Sequence, residues 1–201
     1  MIKLLTKIPR HVYLACSGGV DSMAALDFLQ RNHTVTVAFF NHGTDASHEA
    51  DWFLRGYCKD HGIGFLTKTM DAVKLNCLSQ EEHWRIERYK FLDGIGHPVI
   101  TVHHLDDAVE TWVWSSMHGV SKLPQVVRGN VIRPFLATRK RELVNWCVDH
   151  SVPWIDDRSN LDTKFIRNYI RHEMMPHVLK VNPGIHKMVK KRLQTDAKAI
   201  Y

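Results

Sequence analysis

Apolar and polar residues along this chain form blocks that predict strands and helices in alternation. Runs rich in β-branched and aromatic residues predict strands at 11–16, 34–40, 63–69 and 98–103, with a fifth near Val131 and Ile132. Apolar residues at helical spacing predict helices at 21–30, around 50–58, from Ser79 to about Ile95, around 109–113 and around 143–147. This alternation favours a parallel sheet with helices on both faces.

From Asp162 onward the pattern turns helical and basic, with expected interruptions at Pro176 and at Asn182-Pro183-Gly184. The net charge of +6 is concentrated in this part. Residues 1–163 hold 18 Lys and Arg against 19 Asp and Glu, whereas residues 164–201 hold 9 against 2. Because basic side chains neutralise phosphates and release counterions, the segment indicates a polyanionic partner, with a solvated helix face as the alternative.

Composition limits the class of protein. The chain has 201 residues, of which 44% are hydrophobic and 24% charged, so one α/β domain with a packed core is expected rather than a disordered or collagenous chain. No stretch is apolar enough to cross a bilayer, and Pro9 and His11 interrupt any signal-peptide core. Four cysteines stand far apart without a C-x-x-C pair, which argues against a disulfide scaffold or zinc ribbon and fits a reducing cytoplasm.

A glycine-rich turn joins the first predicted strand to the first helix. It consists of Ser17, Gly18, Gly19, Val20, Asp21 and Ser22. Glycines let backbone amides approach an anion, and the positive end of the next helix adds attraction. Asp21 is a candidate Mg²⁺ ligand. The lysine of a Walker A loop and the dinucleotide fingerprint are absent, so the turn is either another kind of phosphate loop or an ordinary turn.

A second cluster follows the fourth predicted strand. It contains His103, His104, Asp106, Asp107 and Glu110. The three acids lie within one helical turn, so all of them can face the same edge of the sheet. The group could hold a metal ion through histidines and carboxylates, or an ammonium group through carboxylates. A helix capped by Asp106 is the purely structural alternative, and it leaves the histidine pair unexplained.

A third cluster lies between Trp154 and Arg171. Arg167 and Arg171 are one helical turn apart and suit bidentate contact with phosphate. Asp157, Ser159 and Asn160 precede them and are also typical turn formers.

In this order the motifs resemble the tRNA(Ile)-lysidine synthetase family of PP-loop ATP pyrophosphatases. The segments that carry the resemblance are SGGVDS at 17–22, NHG at 41–43, EHWRIERY at 82–89, HHLDDAVET at 103–111, Arg133-Pro134, DDRSNLDTKFIRNYIR at 156–171 and Asn182-Pro183. The first is shared with many ATP pyrophosphatases, whereas the 156–171 run is more specific. The resemblance implies a Rossmann-like α/β fold of about five parallel strands, similar to adenine nucleotide alpha-hydrolases. It divides the chain into a PP-loop domain at 1–163 and a basic helical extension at 164–201 that completes the active site.

The resemblance also implies a reaction. Family members use ATP to adenylate the C2 carbonyl of the wobble cytidine in an isoleucine tRNA, and pyrophosphate is released. The ε-amine of lysine then attacks C2 and expels AMP, which leaves lysidine. ATP and Mg²⁺ are the implied cofactors, and the tRNA and L-lysine are the implied partners of a cytoplasmic enzyme, with a homodimer left open.

Roles for individual residues follow from the same resemblance. The phosphate loop with Asn41, His42, Arg85 and Arg88 would bind ATP, and Asp21 would lie near Mg²⁺. The catalytic group would be His103, Asp106, Asp107, Glu110, Arg167 and Arg171, with Asp107 and Glu110 holding the lysine ammonium. Substrate contacts would come from Glu82, Asp157, Ser159, Asn160 and Asn168, and from Lys187, Lys190 and Lys191 on one face of a tail helix.

Some positions depart from the family pattern. Ala108 stands where Gln is usual, and Arg158 where Pro is common. The chain ends at Tyr201, whereas typical members continue into domains that recognise the tRNA body, so we expect a basic tail in their place or a smaller substrate. Two alternatives stay open: a PP-loop enzyme that joins another amine or a sulfur donor to a different RNA base, and a non-catalytic RNA-binding remnant. Paired cysteines for thiolation are absent.

Overall fold

The computed structural model describes residues 1–70, 79–156, 164 and 166–198. The strands are β1 (His11–Ala15), β2 (Thr34–Asn41), β3 (Gly64–Thr69), β4 (Val99–Thr101), β5 (Val127–Arg128) and β6 (Val131–Ile132). The helices are α1 (Val20–Gln30), α2 (Asp45–Asp60), α3 (Gln80–Gly94), α4 (Leu105–Met117), α5 (Lys140–Asp149), α6 (Ile166–Tyr169), α7 (Met175–Val181) and α8 (Ile185–Lys198). A single 3₁₀ turn at Pro134–Ala137 leads into α5.

The strands form one sheet in the order β3-β2-β1-β4-β6-β5. The first five in that order are parallel, and β5 alone is antiparallel to its neighbour. The α/β fold with a mostly parallel sheet is therefore confirmed. The winding reverses beside β1, which has β2 on one side and β4 on the other. Open α/β sheets bind ligands at the carboxyl ends of the strands at such a point.

Two details of the sheet differ from the sequence prediction. About five strands were expected, but Val127 and Arg128 add a sixth, which pairs with β6 across the two-residue turn Gly129-Asn130. Gly129 has a φ of +59°, the left-handed conformation that tight hairpin turns require. β4 covers three residues rather than 98–103, so His103 and His104 lie in the connection between β4 and α4.

The C-terminal helices pack against α4. Along α8, Ile185, Val189 and Leu193 recur every four residues. Their side chains are buried in one cluster with Leu105 and Val109 of α4. Each such side chain contributes roughly 1.5–3 kcal/mol when it leaves water. The basic extension thus shares an apolar core with the α/β body.

The interruption expected at Pro176 is wrong. The chain stays helical from Ile166 to Val181, with one wide turn at Ile170–Met174 in which the Met175 amide donates to the Ile170 carbonyl. Pro176 follows this wide turn directly, where the regular i→i−4 ladder of hydrogen bonds is already interrupted, so the proline does not end the helix. The interruption at residues 182–184 is confirmed. Among the helices described, none combines the length and the apolar character that crossing a bilayer demands.

Candidate functional site

The loop between β1 and α1 is closed by its own hydrogen bonds. Ser22 Oγ donates to the Gly19 carbonyl at 2.8 Å and accepts from the Ser17 amide at 3.2 Å. Gly18 has a φ of +81°, and a Cβ placed there would lie 3.1 Å from the side chain of Ile155, so the loop needs glycine at this position. Gly19 precedes α1 and brings no side-chain cap, which leaves the first amides of the helix available to an anion.

Asp21 projects from the first turn of α1 toward the start of α4. Its Oδ2 lies 3.7 Å from Nε2 of His104. Its Oδ1 is buried and has no hydrogen-bond partner among the described residues. Because Mg²⁺ prefers oxygen ligands with free lone pairs, Asp21 fits the metal role that the family resemblance implies.

His104 caps α4, a position that the purely structural alternative gave to Asp106. Its Nδ1 accepts from the Asp107 amide at 3.2 Å, and Asp107 Oδ2 accepts from the His104 amide at 2.9 Å. This reciprocal arrangement is a capping box with histidine as the cap. Burial alone would lower the pKa of His104, but Asp107, Asp21 and Asp106 outweigh it and raise the pKa above its usual value. His104 therefore connects the phosphate loop to the acidic end of α4.

The buried acids Asp107 and Glu110 form one cluster with Arg167, which is exposed, and Arg171, which is partly buried. Oδ1 of Asp107 accepts from Nη2 of Arg167 at 2.8 Å and from Nη2 of Arg171 at 3.0 Å. Arg171 also clamps Glu110, with Nε 2.8 Å from Oε1 and Nη2 3.0 Å from Oε2. Burial raises the pKa of Asp107, but His104 and Arg167 bring it down to about 2. Two arginines and two carboxylates singled out from the sequence are thus brought into direct contact.

Asp106 turns away from this cluster. Its carboxylate accepts from Nε of Arg139 at 3.1 Å and from the Lys140 amide at 2.8 Å, and it lies 3.1 Å from Nε2 of His186. Although burial raises the pKa of Asp106, these three hydrogen bonds hold it well below its usual value. The expectation that all three acids face the same edge is therefore wrong for Asp106, because α5 and α8 offer it partners of their own.

His42 and His103 are partly buried and stay neutral at pH 7. Burial lowers the pKa of His42 to about 4, and the nearby charge of Arg88 acts in the same direction. Burial lowers the pKa of His103 to about 3. Nδ1 of His103 lies 3.1 Å from Oγ1 of Thr101, whereas Nδ1 of His42 has no hydrogen-bond partner within the described parts of the chain. His42 can therefore offer a hydrogen bond to a ligand.

Arginines surround Tyr89 of α3. The guanidinium groups of Arg85, Arg88 and Arg128 lie 5.5, 5.7 and 4.3 Å from the centre of its ring, and Nη2 of Arg133 donates to its Oη at 3.0 Å. Such a concentration of positive charge suits a ligand that carries phosphate. Our sequence reasoning included Arg85 and Arg88 but missed Tyr89, Arg128 and Arg133. The Arg133-Pro134 pair was the signal that could have found the last of them.

The remaining candidates lie on β2, α3 and α6. Asn41 ends β2, where its Oδ1 accepts from the Gly43 amide at 2.8 Å and shapes the turn around His42. Glu82 is exposed in the first turn of α3. Asn168 is buried in α6. The predicted substrate contacts Asp157, Ser159 and Asn160 lie outside the described residues.

The three lysines of α8 do not share one face. Lys187 and Lys191 are exposed, whereas Lys190 turns inward and donates from Nζ to the Ala137 carbonyl at 2.9 Å. The common face predicted for the three lysines therefore includes Lys187 and Lys191 but not Lys190. Within the ranges that the structure covers, no three His, Cys, Asp or Glu side chains come together as a metal-binding group.

Known proteins resemble this chain over most of its length. A PP-loop domain family matches residues 2–178. A tRNA(Ile)-lysidine synthase from Thermosipho africanus (strain TCF52B) is 32% identical over 191 residues, which cover 86% of this chain and 45% of that protein. The synthase from Staphylococcus aureus (strain N315) is 32% identical over 190 residues, covering 84% and 44%. The chain thus spans a little under half the length of these relatives.

The fold also has a counterpart among solved structures. The U34-tRNA thiolase NcsA from Methanococcus maripaludis, solved with its 4Fe-4S cluster, superposes with a TM-score of 0.76. The match covers 96% of this chain and 74% of that one at 14% sequence identity. At that identity the likeness concerns the fold alone.

Proposed function

This chain belongs to the PP-loop domain family, and from that membership we propose a ligase that activates an RNA base with ATP and then joins an amine to it. The RNA base is the wobble cytidine of an isoleucine tRNA, and the amine is L-lysine. One observation carries the proposal: Asp21 of the phosphate loop lies 3.7 Å from His104, the residue that caps the helix bearing Asp107 and Glu110. An ATP site at this loop and the carboxylate–arginine cluster would therefore adjoin at one edge of the sheet, where both reactants would meet.

The first step transfers an adenylyl group. The C2 oxygen of cytidine attacks the α-phosphorus of ATP, the bond from that phosphorus to the bridging oxygen breaks, and pyrophosphate leaves. The free loop amides and the hydroxyl of Ser17 would bind the phosphates, and Arg88 would add positive charge, whereas Ser22, whose hydroxyl donates to the Gly19 carbonyl, would hold the loop in shape. Mg²⁺ held by Asp21 would neutralise phosphate charge.

The second step joins the amine. The ε-amine of lysine attacks C2, the bond from C2 to the oxygen of AMP breaks, and the amine gives up a proton. A nearby carboxylate is the natural acceptor for that proton. The same carboxylates bind lysine as its ammonium form before attack, because an ammonium group has three donors and one charge.

Glu110 is better suited than Asp107 to hold the ammonium. Among the described residues, Oδ1 of Asp107 already accepts two hydrogen bonds and Oδ2 accepts one, whereas each oxygen of Glu110 accepts one. A carboxylate oxygen has two lone pairs. Glu110 can therefore receive an ammonium group on both oxygens while it still holds Arg171.

The cysteines that the structure describes do not favour a sulfur donor. Burial raises the pKa of Cys16, raises that of Cys58 to about 12 and raises that of Cys147 to about 11. Thiols held in this way stay protonated at pH 7 and are poor nucleophiles. The similarity to curated tRNA(Ile)-lysidine synthases supports the amine instead.

Pyrophosphate release with ATP, lysine and a panel of unmodified tRNA transcripts tests the proposal. We expect release that depends on lysine and on an isoleucine tRNA, together with a covalent lysine on the wobble cytidine detected by mass spectrometry. Release without RNA, or faster reaction with ammonia or a sulfur donor than with lysine, would contradict the proposal. RNA binding with no turnover would support the non-catalytic alternative.

A variant of the phosphate loop provides the matching control. We expect Asp21→Ala to lower pyrophosphate release by about 100-fold or more, because it removes the carboxylate that would hold Mg²⁺ beside the phosphates. The melting temperature should change little, since Oδ1 of Asp21 has no partner among the described residues. Asp45→Ala removes the corresponding first-turn acid of α2 and should retain activity. Normal turnover by Asp21→Ala would exclude this loop from the reaction.

A further inference from the structure

Three separate segments bring basic side chains to one surface beside the active site. Lys3 lies next to the start of α5, because its backbone N–H and C=O both bond to Oγ1 of Thr138, at 2.9 and 2.8 Å. Lys190 of α8 reaches the same place through its 2.9 Å bond to the Ala137 carbonyl. We call this surface the α5 basic patch. Its residues are Lys3, Arg139, Lys140, Arg141 and Lys190.

The start of α5 is an unfavourable place for positive charge if stability alone is considered. Arg139, Lys140 and Arg141 occupy the cap and the first two positions of the helix, where the macrodipole is itself positive. Each such placement costs a few tenths of a kcal/mol at an exposed site. Asp106 compensates Arg139, so Lys140 and Arg141 are the two charges at this end of the helix that an external anion could pair with.

The carboxylates of the patch are already engaged. Asp106 accepts from Arg139 and from the Lys140 amide, and Glu142 accepts from the Met1 amine at 3.1 Å and the Arg139 amide at 2.8 Å. Lys3 and Arg141 are exposed and form no ion pair with a carboxylate in the part of the chain that the structure describes. The patch therefore presents a net positive charge to solvent.

The patch lies on the same edge of the sheet as the phosphate loop. β1, β4 and β6 run parallel, and each leads from its carboxyl end toward the start of a helix: α1, α4 and α5. The Leu105 amide donates to the Thr138 carbonyl at 2.7 Å, which fixes the starts of α4 and α5 side by side. Asp106 bridges the two helices, and its neighbour Asp107 belongs to the carboxylate–arginine cluster. A chain of phosphates on the patch would thus end at the proposed reaction centre.

We propose that the α5 basic patch binds the phosphate backbone of the substrate RNA and sets the direction from which the target base enters the site. The inference rests on the proposed function in taking RNA as the partner. The backbone is a regular series of single negative charges, which exposed lysine and arginine side chains match by counterion release. An anionic lipid surface is the other polyanion with such charges, and the experiment separates the two.

The test is the salt dependence of binding to an unmodified isoleucine tRNA transcript. The patch variant is Lys3→Gln/Lys140→Gln/Arg141→Gln, which leaves Arg139 and Lys190 in their contacts and does not alter α8. The control variant is Arg10→Gln/Lys59→Gln/Lys90→Gln, which removes three exposed charges at the opposite edge of the sheet. Each lost phosphate contact flattens the plot of log K against log salt by about 0.7–0.9.

We expect the patch variant to show a slope smaller by about two to three units, and the control variant to match the parent within about half a unit. Affinity for a non-hydrolysable ATP analogue should be the same in all three proteins. A patch variant with the parent's RNA affinity and slope overturns the inference and leaves the proposed reaction intact. A patch variant that loses binding to phosphatidylglycerol vesicles but keeps RNA binding overturns it in favour of a lipid surface. RNA binding through the patch without lysine-dependent pyrophosphate release would overturn the proposed reaction alone.

Discussion

The three acids at the start of α4 differ in what their partners allow them to do. Asp106 is held by α5 and α8, and Asp107 is shared between the helix cap and two arginines. Glu110 is the acid with spare acceptor capacity on both oxygens among the described contacts. Neutralising each acid should therefore have a different effect. A substitution at Glu110 best distinguishes an effect on substrate binding from an effect on stability.

Glu110→Gln should weaken the use of lysine far more than the binding of ATP. The amide keeps one acceptor oxygen but loses the charge that an ammonium group needs, so we expect KM for lysine to rise by about 10- to 100-fold. The clamp on Arg171 is also weakened, at a cost of about 1–3 kcal/mol in the free energy of unfolding. Pyrophosphate release at varied lysine and ATP concentrations, with urea unfolding, measures both effects.

The matched control for that experiment is Glu87→Gln. Glu87 pairs with Lys90 at 2.7 Å on the outer surface of α3, so its loss should leave both KM values as they are in the parent. An unchanged KM for lysine in Glu110→Gln would remove this residue from the amine site.

His42 and His103 should make the fold less stable in mild acid. Their folded-state pKa values of about 4 and about 3 lie below the unfolded value of 6.5, so the unfolded chain binds more protons as pH falls below 6.5. Each histidine then lowers the free energy of unfolding by up to about 1.4 kcal/mol per pH unit. This loss continues until the pH reaches the folded-state pKa of that histidine. The raised pKa of His104 makes the fold more stable as the pH falls. The lowered pKa of Asp107 reduces stability only below about pH 4.

Urea unfolding at pH 4.5, 5.5 and 6.5 measures this dependence. His42→Gln should reduce the slope of stability against pH by roughly one histidine's share, while His11→Gln at the exposed start of β1 keeps the parent slope. A slope that His42→Gln does not change would mean that His42 takes up its proton equally well in the folded protein.

Residue types and spacing predicted much of the site, but not the pairing within it. SGGVDS after a strand predicted the loop, and the spacing of Asp107 with Glu110 and of Arg167 with Arg171 predicted two pairs of like charge. That these pairs face each other could not be predicted, because Asp107 and Arg167 are 60 residues apart and only packing brings them together. The cap formed by His104 was missed for a simpler reason: histidine is a rare helix cap, and Asp106 matched the usual preference.

At the scale of elements, prediction succeeded where the signal is local. Ser79 caps α3 and accepts from the Glu82 amide, as the S-x-x-E pattern predicts, and Gly62 follows α2 with a φ of +65°. β6 was predicted near Val131 and Ile132, but its partner β5 was missed because it has only two residues, too few for a periodic pattern. Pro176 was misjudged because the wide turn before it, at Ile170–Met174, has no simple sequence signature.

The backbone conformation of the phosphate loop and its packing against Ile155 both depend on Gly18. Gly18→Ala should lower the free energy of unfolding by about 1–3 kcal/mol, because the residue has a positive φ and its new methyl group would meet Ile155 at 3.1 Å. ATP affinity should fall with it, since the loop must shift. Gly94→Ala, in the last turn of α3 with open space around it, should be neutral or stabilising by up to about 1 kcal/mol.

Calorimetry of ATP-analogue binding and urea unfolding of the two alanine variants test this requirement. Equal stability and affinity for Gly18→Ala and Gly94→Ala would show that the loop tolerates a side chain and that the contact with Ile155 is unimportant.

At the scale of the whole molecule, the basic extension and the α/β body should fold as one unit. A chain that stops after residue 181 lacks α8 and exposes Leu105, Val109 and Val113, which bury against it. We expect a loss of about 5 kcal/mol or more, so that cooperative unfolding disappears and the apolar dye ANS binds. The variant Lys187→Gln/Lys191→Gln keeps the buried face of α8 and should unfold like the parent. A truncated chain with an unchanged urea transition would show that residues 1–181 fold independently of α8.

The contacts of α4 with the C-terminal helices also have a consequence for the order of events in folding. Asp107 and Arg167 are separated by 60 residues, and Asp106 and His186 by 80, so these ion pairs close long loops and form only after the sheet has brought the ends of those loops together. Until then the acids of α4 repel one another, and the apolar face of the helix that carries them is uncovered. Assembly of the carboxylate–arginine cluster is therefore coupled to the last docking step, and partly folded chains that already hold the sheet lack this cluster.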